Sequence, residues 1–305
     1  GCHHIDVGQL RLGGLRLQPA VLVGRQQQAL HQRLGLDLQR RHRGHRLRRR
    51  PGPVIAPGLI VVRGLPGAAG LSFETLTGVG PLAMGSSPKR LSDSAAYYTV
   101  AGYARHLDAL LAEREVERAH LVLHDFGGPW GLAWATAHPD RVASITLINV
   151  GIMRDYRWHF LARVWRLPLI GELFMATTTR AGFHALLKIG NPRGLPRAYI
   201  DEMFDNFDAG TKRAVLRLYR ATDGLGDAAE RAVAALRPRD LDCLVIWGKA
   251  DIYLPWRYAQ AQREAFPRAE IVYLEDSGHW PFKDNPQAVR EALVPFLQRV
   301  TAASG

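Results

Sequence analysis

Ala119-His-Leu-Val-Leu-His-Asp-Phe-Gly-Gly-Pro-Trp-Gly131 decides the reading of this chain. Leu121, Val122 and Leu123 show no polar alternation, as expected of a strand buried on both faces of a parallel sheet. Gly127 and Gly128 follow at once, and Leu132–His138 reads as a helix stopping before Pro139. This is the layout of a nucleophile elbow. The chain reverses so sharply that the apex side chain is lifted above the sheet, and small residues must follow because strand and helix nearly touch. The apex residue is Asp125. It reads either as a carboxylate nucleophile or as the cap of the following helix.

Outward from the elbow, Leu59–Val62 predicts a strand running into the turn Arg63-Gly-Leu-Pro-Gly67. Phe73–Leu76 predicts a short helix, and Val79–Met84 is a weak apolar segment. Val100, Tyr103, Leu107, Leu110 and Leu111 recur at helical spacing and predict an amphipathic helix over Val100–Glu113. Arg141–Ile148 predicts the next buried strand. Residues 151–236 contain no convincing strand. Their aromatic and aliphatic positions predict packed helices over Trp158–Trp165, Ala181–Leu187, Tyr199–Phe207 and Thr211–Tyr219. Strands return at Cys243–Trp247 and Glu270–Leu274, with helices over Trp256–Phe266 and Pro286–Val300. Alternating strands and helices predict an α/β fold, a mostly parallel sheet covered on both faces. The expected organisation is a core of residues 53–150 and 237–300, a helical insertion at 151–236, and an Arg-rich extension at 1–52.

The chain has 305 residues and a formal net charge of +12. That excess suggests a nucleic-acid partner, but residues 1–50 supply +9 of it and the other 255 residues only +3. The extension has no Ser, Thr, Lys, Glu or aromatic residue, and its run Arg40–Arg50 repels itself. It reads as a disordered tail, as a basic arm for RNA or a membrane, or, the reading preferred on composition, as GC-rich sequence outside the ancestral frame. No specific nucleic-acid partner is expected. Two isolated cysteines, Cys2 and Cys243, give no disulfide framework or metal motif. No apolar run reaches 18 residues and no export signal is visible, so a cytoplasmic location without a membrane span is expected.

In parallel α/β sheets, functional groups gather where strands deliver their carboxyl ends. Four such loops stand out: Arg63–Gly67, Asp125–Gly128, Gly248–Asp251 and Asp276–His279. The order carboxylate, second acid, His, together with Leu123-His-Asp-Phe-Gly-Gly128, Trp247-Gly-Lys-Ala-Asp251 and Gly278-His-Trp-Pro281, resembles the α/β-hydrolases. The match is to the branch with an Asp nucleophile, which includes epoxide hydrolases and haloalkane dehalogenases. The resemblance implies a helical cap at 151–236 and amino-terminal strands that are missing or degraded, since residues 1–50 do not read as strands and Arg63-Gly64 stands where the family has His-Gly.

It also implies roles. Asp125 attacks an sp3 carbon and forms an alkyl ester. His279 activates water against that ester, and Asp251 orients and stabilises the imidazole. The backbone N–H groups of Phe126 and Leu65 receive the oxyanion. A carboxylate is ionised at neutral pH without assistance, whereas serine is not. Phe126 and Leu65 offer no side-chain donor for a departing halide. Tyr219, in Leu218-Tyr-Arg220, resembles the cap tyrosine with which epoxide hydrolases protonate the ring oxygen, with Tyr156 as second candidate and Tyr199 as a weaker one. Trp130, Trp158 and Trp165 read as packing. The expected activity is opening of epoxides of apolar substrates to diols. Haloalkane dehalogenation, or a weakly active relative that only binds ligand, is the alternative. Substrate and water are the expected partners, with no cofactor and no metal.

Overall fold

A computed structural model describes residues 59–63, 72–74, 98–113 and 115–302. The Arg-rich extension 1–52, the Val79–Met84 segment and Leu65 lie outside the described residues. Two strands, β1 (Leu59–Arg63) and β2 (Ser72–Glu74), are followed by helix α1 (Val100–Glu113). Then come β3 (Ala119–His124), α2 (Gly127–Ala137) and β4 (Val142–Ile148). Six helices intervene: α3 (Phe160–Arg166), α4 (Ile170–Thr177), α5 (Arg180–Ile189), α6 (Arg197–Asp205), α7 (Ala209–Ala221) and α8 (Leu225–Leu236). The chain closes with β5 (Cys243–Gly248), β6 (Glu270–Leu274) and α9 (Pro286–Ala302).

The sheet order is β2-β1-β3-β4-β5-β6. Strands β3 to β6 are mutually parallel, with His124 beside Ile148, Ile148 beside Ile246 and Gly248 beside Leu274. Alternate strand residues feed opposite cores, as the two-residue period of a strand requires. Leu121, Leu123, Ile145, Leu147, Val245 and Trp247 join α1 and α2 on one face. Val122, Leu244, Ile246 and Leu274 meet Val289, Phe296, Leu297 and Val300 of α9 on the other. Both faces are dry, which explains the absence of polar alternation in β3 and β5.

Two expectations are corrected at the open end of the sheet. The segment predicted helical at Phe73–Leu76 begins in strand β2, whose Phe73 pairs with Val62. A four-residue segment is too short to offset the cost of helix nucleation, and an available strand edge gives Phe73 and Glu74 backbone partners. Strand β1 runs antiparallel to β3, with Leu59 opposite Leu123 and Val62 opposite His120. Its carboxyl end, Arg63, therefore lies at the amino end of β3, the edge opposite Asp125. The expected parallel first strand is corrected by this pairing, while residues 64–67, with the expected Leu65 N–H donor, lie outside the described residues. Apolar character alone does not encode direction. The helix expected over Trp256–Phe266 is a single turn at Tyr258–Ala261 followed by a 3-10 turn.

Candidate active site

Strand β3 ends at His124 and Asp125 has φ +49, a left-handed conformation rare outside glycine. Helix α2 begins two residues later. The Asp125 carbonyl accepts the Gly128 N–H at 2.9 Å, closing the bend. A Cβ on Gly128 would stand 2.3 Å from Val150 Cγ2, so only glycine lets α2 lie this close to the chain leaving β4. Phe126 anchors the bend on its outer side, against Trp130 and edge-on to Tyr219 at 4.9 Å.

Asp251 and His279 arrive on the loops after β5 and β6. His279 Nδ1 donates to Asp251 Oδ2 at 2.7 Å, and both residues are buried. That bond fixes the tautomer and leaves Nε2 as the basic nitrogen. Asp251 accepts three further bonds: from Asn149 Nδ2 at 2.7 Å and from the N–H groups of Tyr253 and Leu254 at 2.7 and 3.0 Å. Burial opposes the Asp251 charge, but the adjacent imidazole and these donors hold its pKa below the ordinary value. Burial likewise opposes charge on His279, yet Asp251, with Asp125 as a lesser contributor, raises its pKa above 6.5.

Asn149, read from the sequence only as a strand end, joins this network. It is fully buried, with φ +45. Its Oδ1 accepts the Gly248 N–H at 2.9 Å while its Nδ2 serves Asp251, so one amide ties β4 to the β5 loop. His124 was passed over as well. Its Nε2 donates to the His279 carbonyl at 2.7 Å, so the residue before the elbow holds the loop of the imidazole. The inserted helices hold the same loop from above: the His279 N–H donates to Gly190 O and the Trp280 N–H to Asn191 Oδ1. A Cβ on Gly278 would stand 2.0 Å from Gly190 O, which makes this junction specific for glycine.

Asp125 and His279 open into a cavity of about 220 Å³ roofed by the inserted helices. Its lining is mainly apolar, including Met153, Leu161, Phe174, Phe183, Met203 and Val215. Trp130, Trp158 and Trp165 also line it, where packing alone was expected. Tyr219 and Tyr156 are both brought to it. Burial, followed by the charge of Asp125 among the electrostatic contributors, raises both phenols above 10. Tyr253, from the loop after Asp251, is pushed up to about 12 by burial and the two carboxylates. Tyr199 also lines the cavity, from a cluster with Leu187, Ile200 and Met203, and burial raises its phenol above 10 without a contribution from Asp125.

His159 is another residue the sequence did not flag. Its Nδ1 caps α3 by accepting the Ala162 N–H at 3.2 Å, which leaves the proton on Nε2. Its ring meets Tyr253 at 5.0 Å and Tyr219 at 6.1 Å. Burial takes its pKa down to about 4 against the pull of Asp125, so it is neutral at pH 7. Among the described residues no group of three or more His, Cys, Asp or Glu is placed to hold a metal, and no helix is long and apolar enough to cross a membrane.

A doubly covered parallel sheet, with a bend, an acid and a histidine after β3, β5 and β6, defines the α/β-hydrolase class. The family profile described as alpha/beta hydrolase fold matches residues 81–286, and the chain belongs to that family. An uncharacterized protein of Mycobacterium tuberculosis is 27% identical over 234 residues, 73% of this chain and 67% of its own. A cis-3-alkyl-4-alkyloxetan-2-one decarboxylase of Xanthomonas campestris is 26% identical, covering 66% of this chain and 71% of that protein. Among solved structures, the haloalkane dehalogenase DatA of Agrobacterium tumefaciens superposes with a TM-score of 0.57 at 22% identity, over 68% of this chain and 76% of that one. At that identity the likeness concerns the fold.

Replacing Asn149 by Leu strands the Gly248 N–H and removes a donor from a buried carboxylate. It should lower unfolding free energy by about 3 kcal/mol in urea titrations. An unchanged midpoint would contradict the linking role given to this amide.

Proposed function

We propose that this hydrolase works through an ester on Asp125 and that its best substrates are epoxides carrying apolar groups, opened to diols. The observation that carries this reading is the presence of two tyrosines, Tyr156 and Tyr219, in the same apolar chamber as Asp125, both under the influence of its charge. Residues 151–236 then act as a cap, and Asp125, Asp251 and His279 as a triad.

The Asp125 carboxylate attacks an epoxide carbon, the C–O bond breaks, and the ring oxygen takes a proton from a tyrosine. Ester formation removes the charge on Asp125. The phenols, held protonated partly by that charge, become stronger acids at the moment the alkoxide appears. His279 Nε2 next takes a proton from water, which attacks the ester carbonyl. Asp251 stabilises the imidazolium through the Nδ1 bond. The Phe126 N–H, at the positive end of α2, supports the oxyanion. Collapse of the tetrahedral intermediate releases the diol and restores the Asp125 carboxylate, and the proton on the imidazolium returns to the tyrosinate. His159, neutral and fixed by its cap bond, offers a further uncharged N–H to the chamber.

Two observations favour neighbouring readings. The Trp165 indole N–H is buried without a partner, a donor suited to halide. The relative named for a decarboxylase acts, by its name, on an oxetan-2-one, another strained oxygen ring with two alkyl arms. Styrene oxide, 1-bromohexane and a cis-3,4-dialkyl-oxetan-2-one are therefore the three probes. Diol from the epoxide is expected to dominate, and His279→Gln should accumulate an ester on the Asp125 peptide. Tyr219→Phe should lower epoxide turnover about a hundredfold while leaving any bromide release nearly unchanged. Bromide or alkene release without diol would replace the reading.

The pH profile is a separate check. The base must be neutral, so ester hydrolysis should fall as pH drops through a value above 6.5, with no second loss near 10 because the phenols titrate higher. An acid limb well below 6.5 would contradict His279 as the base.

A further inference from the structure

Helices α3 and α4 form a hairpin whose two sides face different media. On the inner side, Leu161, Trp165, Phe174 and Met175 line the cavity. On the outer side, Phe160, Leu167, Leu169, Ile170 and Leu173 are 72, 49, 82, 52 and 64% exposed. Scattered surface apolar residues need no explanation, but five large ones within fourteen consecutive residues form a patch of the kind that marks an interaction surface. The turn between the helices strengthens the point. Leu169 has φ +67, a conformation in which a branched side chain is strained and glycine would not be. The turn thus carries a large apolar side chain outward where a cheaper residue would serve a mere connection.

Charge identifies the partner. Within the 255 residues after the Arg-rich segment the net charge is +3, yet residues 151–236 alone carry +4 and the remainder −1. The acid of the hairpin, Glu172, is held by Arg220 at 2.6 and 2.8 Å, while Arg157 and Arg163, which bracket Phe160, are exposed. Docking a second copy through this face would set two positive caps against each other. An anionic lipid surface meets both features at once, accepting apolar side chains between its acyl chains and arginines among its headgroups.

We infer that the α3–α4 hairpin docks on anionic bilayers, so that the cavity roof rests on the lipid phase in which apolar substrates concentrate. The inference does not depend on the leaving group, because binding is read without turnover.

The test is co-sedimentation of the full chain with vesicles of phosphatidylcholine mixed with phosphatidylglycerol, and with phosphatidylcholine alone. Wild-type protein should sediment with the mixed vesicles and less with the neutral ones. Leu169→Ser combined with Leu173→Ser should weaken partitioning about tenfold or more. Both proteins carry the same Arg-rich segment, so the difference reads the hairpin. Leu169→Trp keeps the fold question separate: its binding should match or exceed wild type, and its fluorescence should shift to the blue on vesicle addition. Equal sedimentation of the double serine variant, absence of wild-type binding, or an emission spectrum of the Leu169→Trp variant unmoved by vesicles would overturn the inference. So would light scattering that shows a wild-type dimer dissolved by the serine substitutions.

Discussion

A left-handed backbone at one aspartate is the constraint on which the site depends. Holding a non-glycine residue at φ +49 costs about 1–2 kcal/mol, and the surroundings over-determine it. Strand β3 is paired on both sides up to the bend. Helix α2 is pressed against Val150 where Gly128 leaves no Cβ. Phe126 is wedged between Trp130 and Tyr219. Relaxing the bend would displace all three. The result is a carboxylate carried at the carboxyl edge of the sheet, its direction set by core packing and not by its own preferences.

The second feature is a buried charge distributed over several strand ends. An ionised Asp251 in the interior is tolerated because four donors meet it, one from the imidazole, one from Asn149 and two from the backbone. Asn149 belongs to the end of β4, while His124, at the end of β3, grips the carbonyl of His279. All four parallel strands thus contribute to one network, and the inserted helices close it through Gly190 and Asn191. Positioning here is a property of the whole edge, so changes to silent-looking polar residues are felt at the imidazole.

Much of this was legible in the chain. Continuous apolar runs with Gly- or Asp-marked ends gave β3, β4, β5 and β6, and helical spacing gave α1 over its observed range. The family resemblance carried by Asp125, Asp251 and His279 gave the expectation that they act together; Asp251 is bonded to His279, and Asp125 lines the same cavity as His279. What escaped has physical causes. Asn149 and His124 look like ordinary strand-end and in-strand polar residues, and their value lies in contacts 102 and 155 residues away. His159 carries no pattern signal in the sequence, and its place follows only from the cap bond and the cavity lining. Helices α4 and α8 were not among the helices named, α4 because it is only eight residues long and follows closely on Pro168. The direction of β1 was misjudged because a short apolar strand is compatible with either sense.

The most direct test of the central claim is a single turnover of wild-type enzyme, in excess over styrene oxide, in water enriched in oxygen-18, followed by mass spectrometry of the product and of the peptide containing Asp125. If the carboxylate bonds to substrate carbon, the first diol carries no heavy oxygen and the heavy atom appears in the side chain of Asp125. A labelled diol with an unlabelled Asp125 peptide would mean that water attacks the substrate directly, and the account of the elbow as a nucleophile would be wrong.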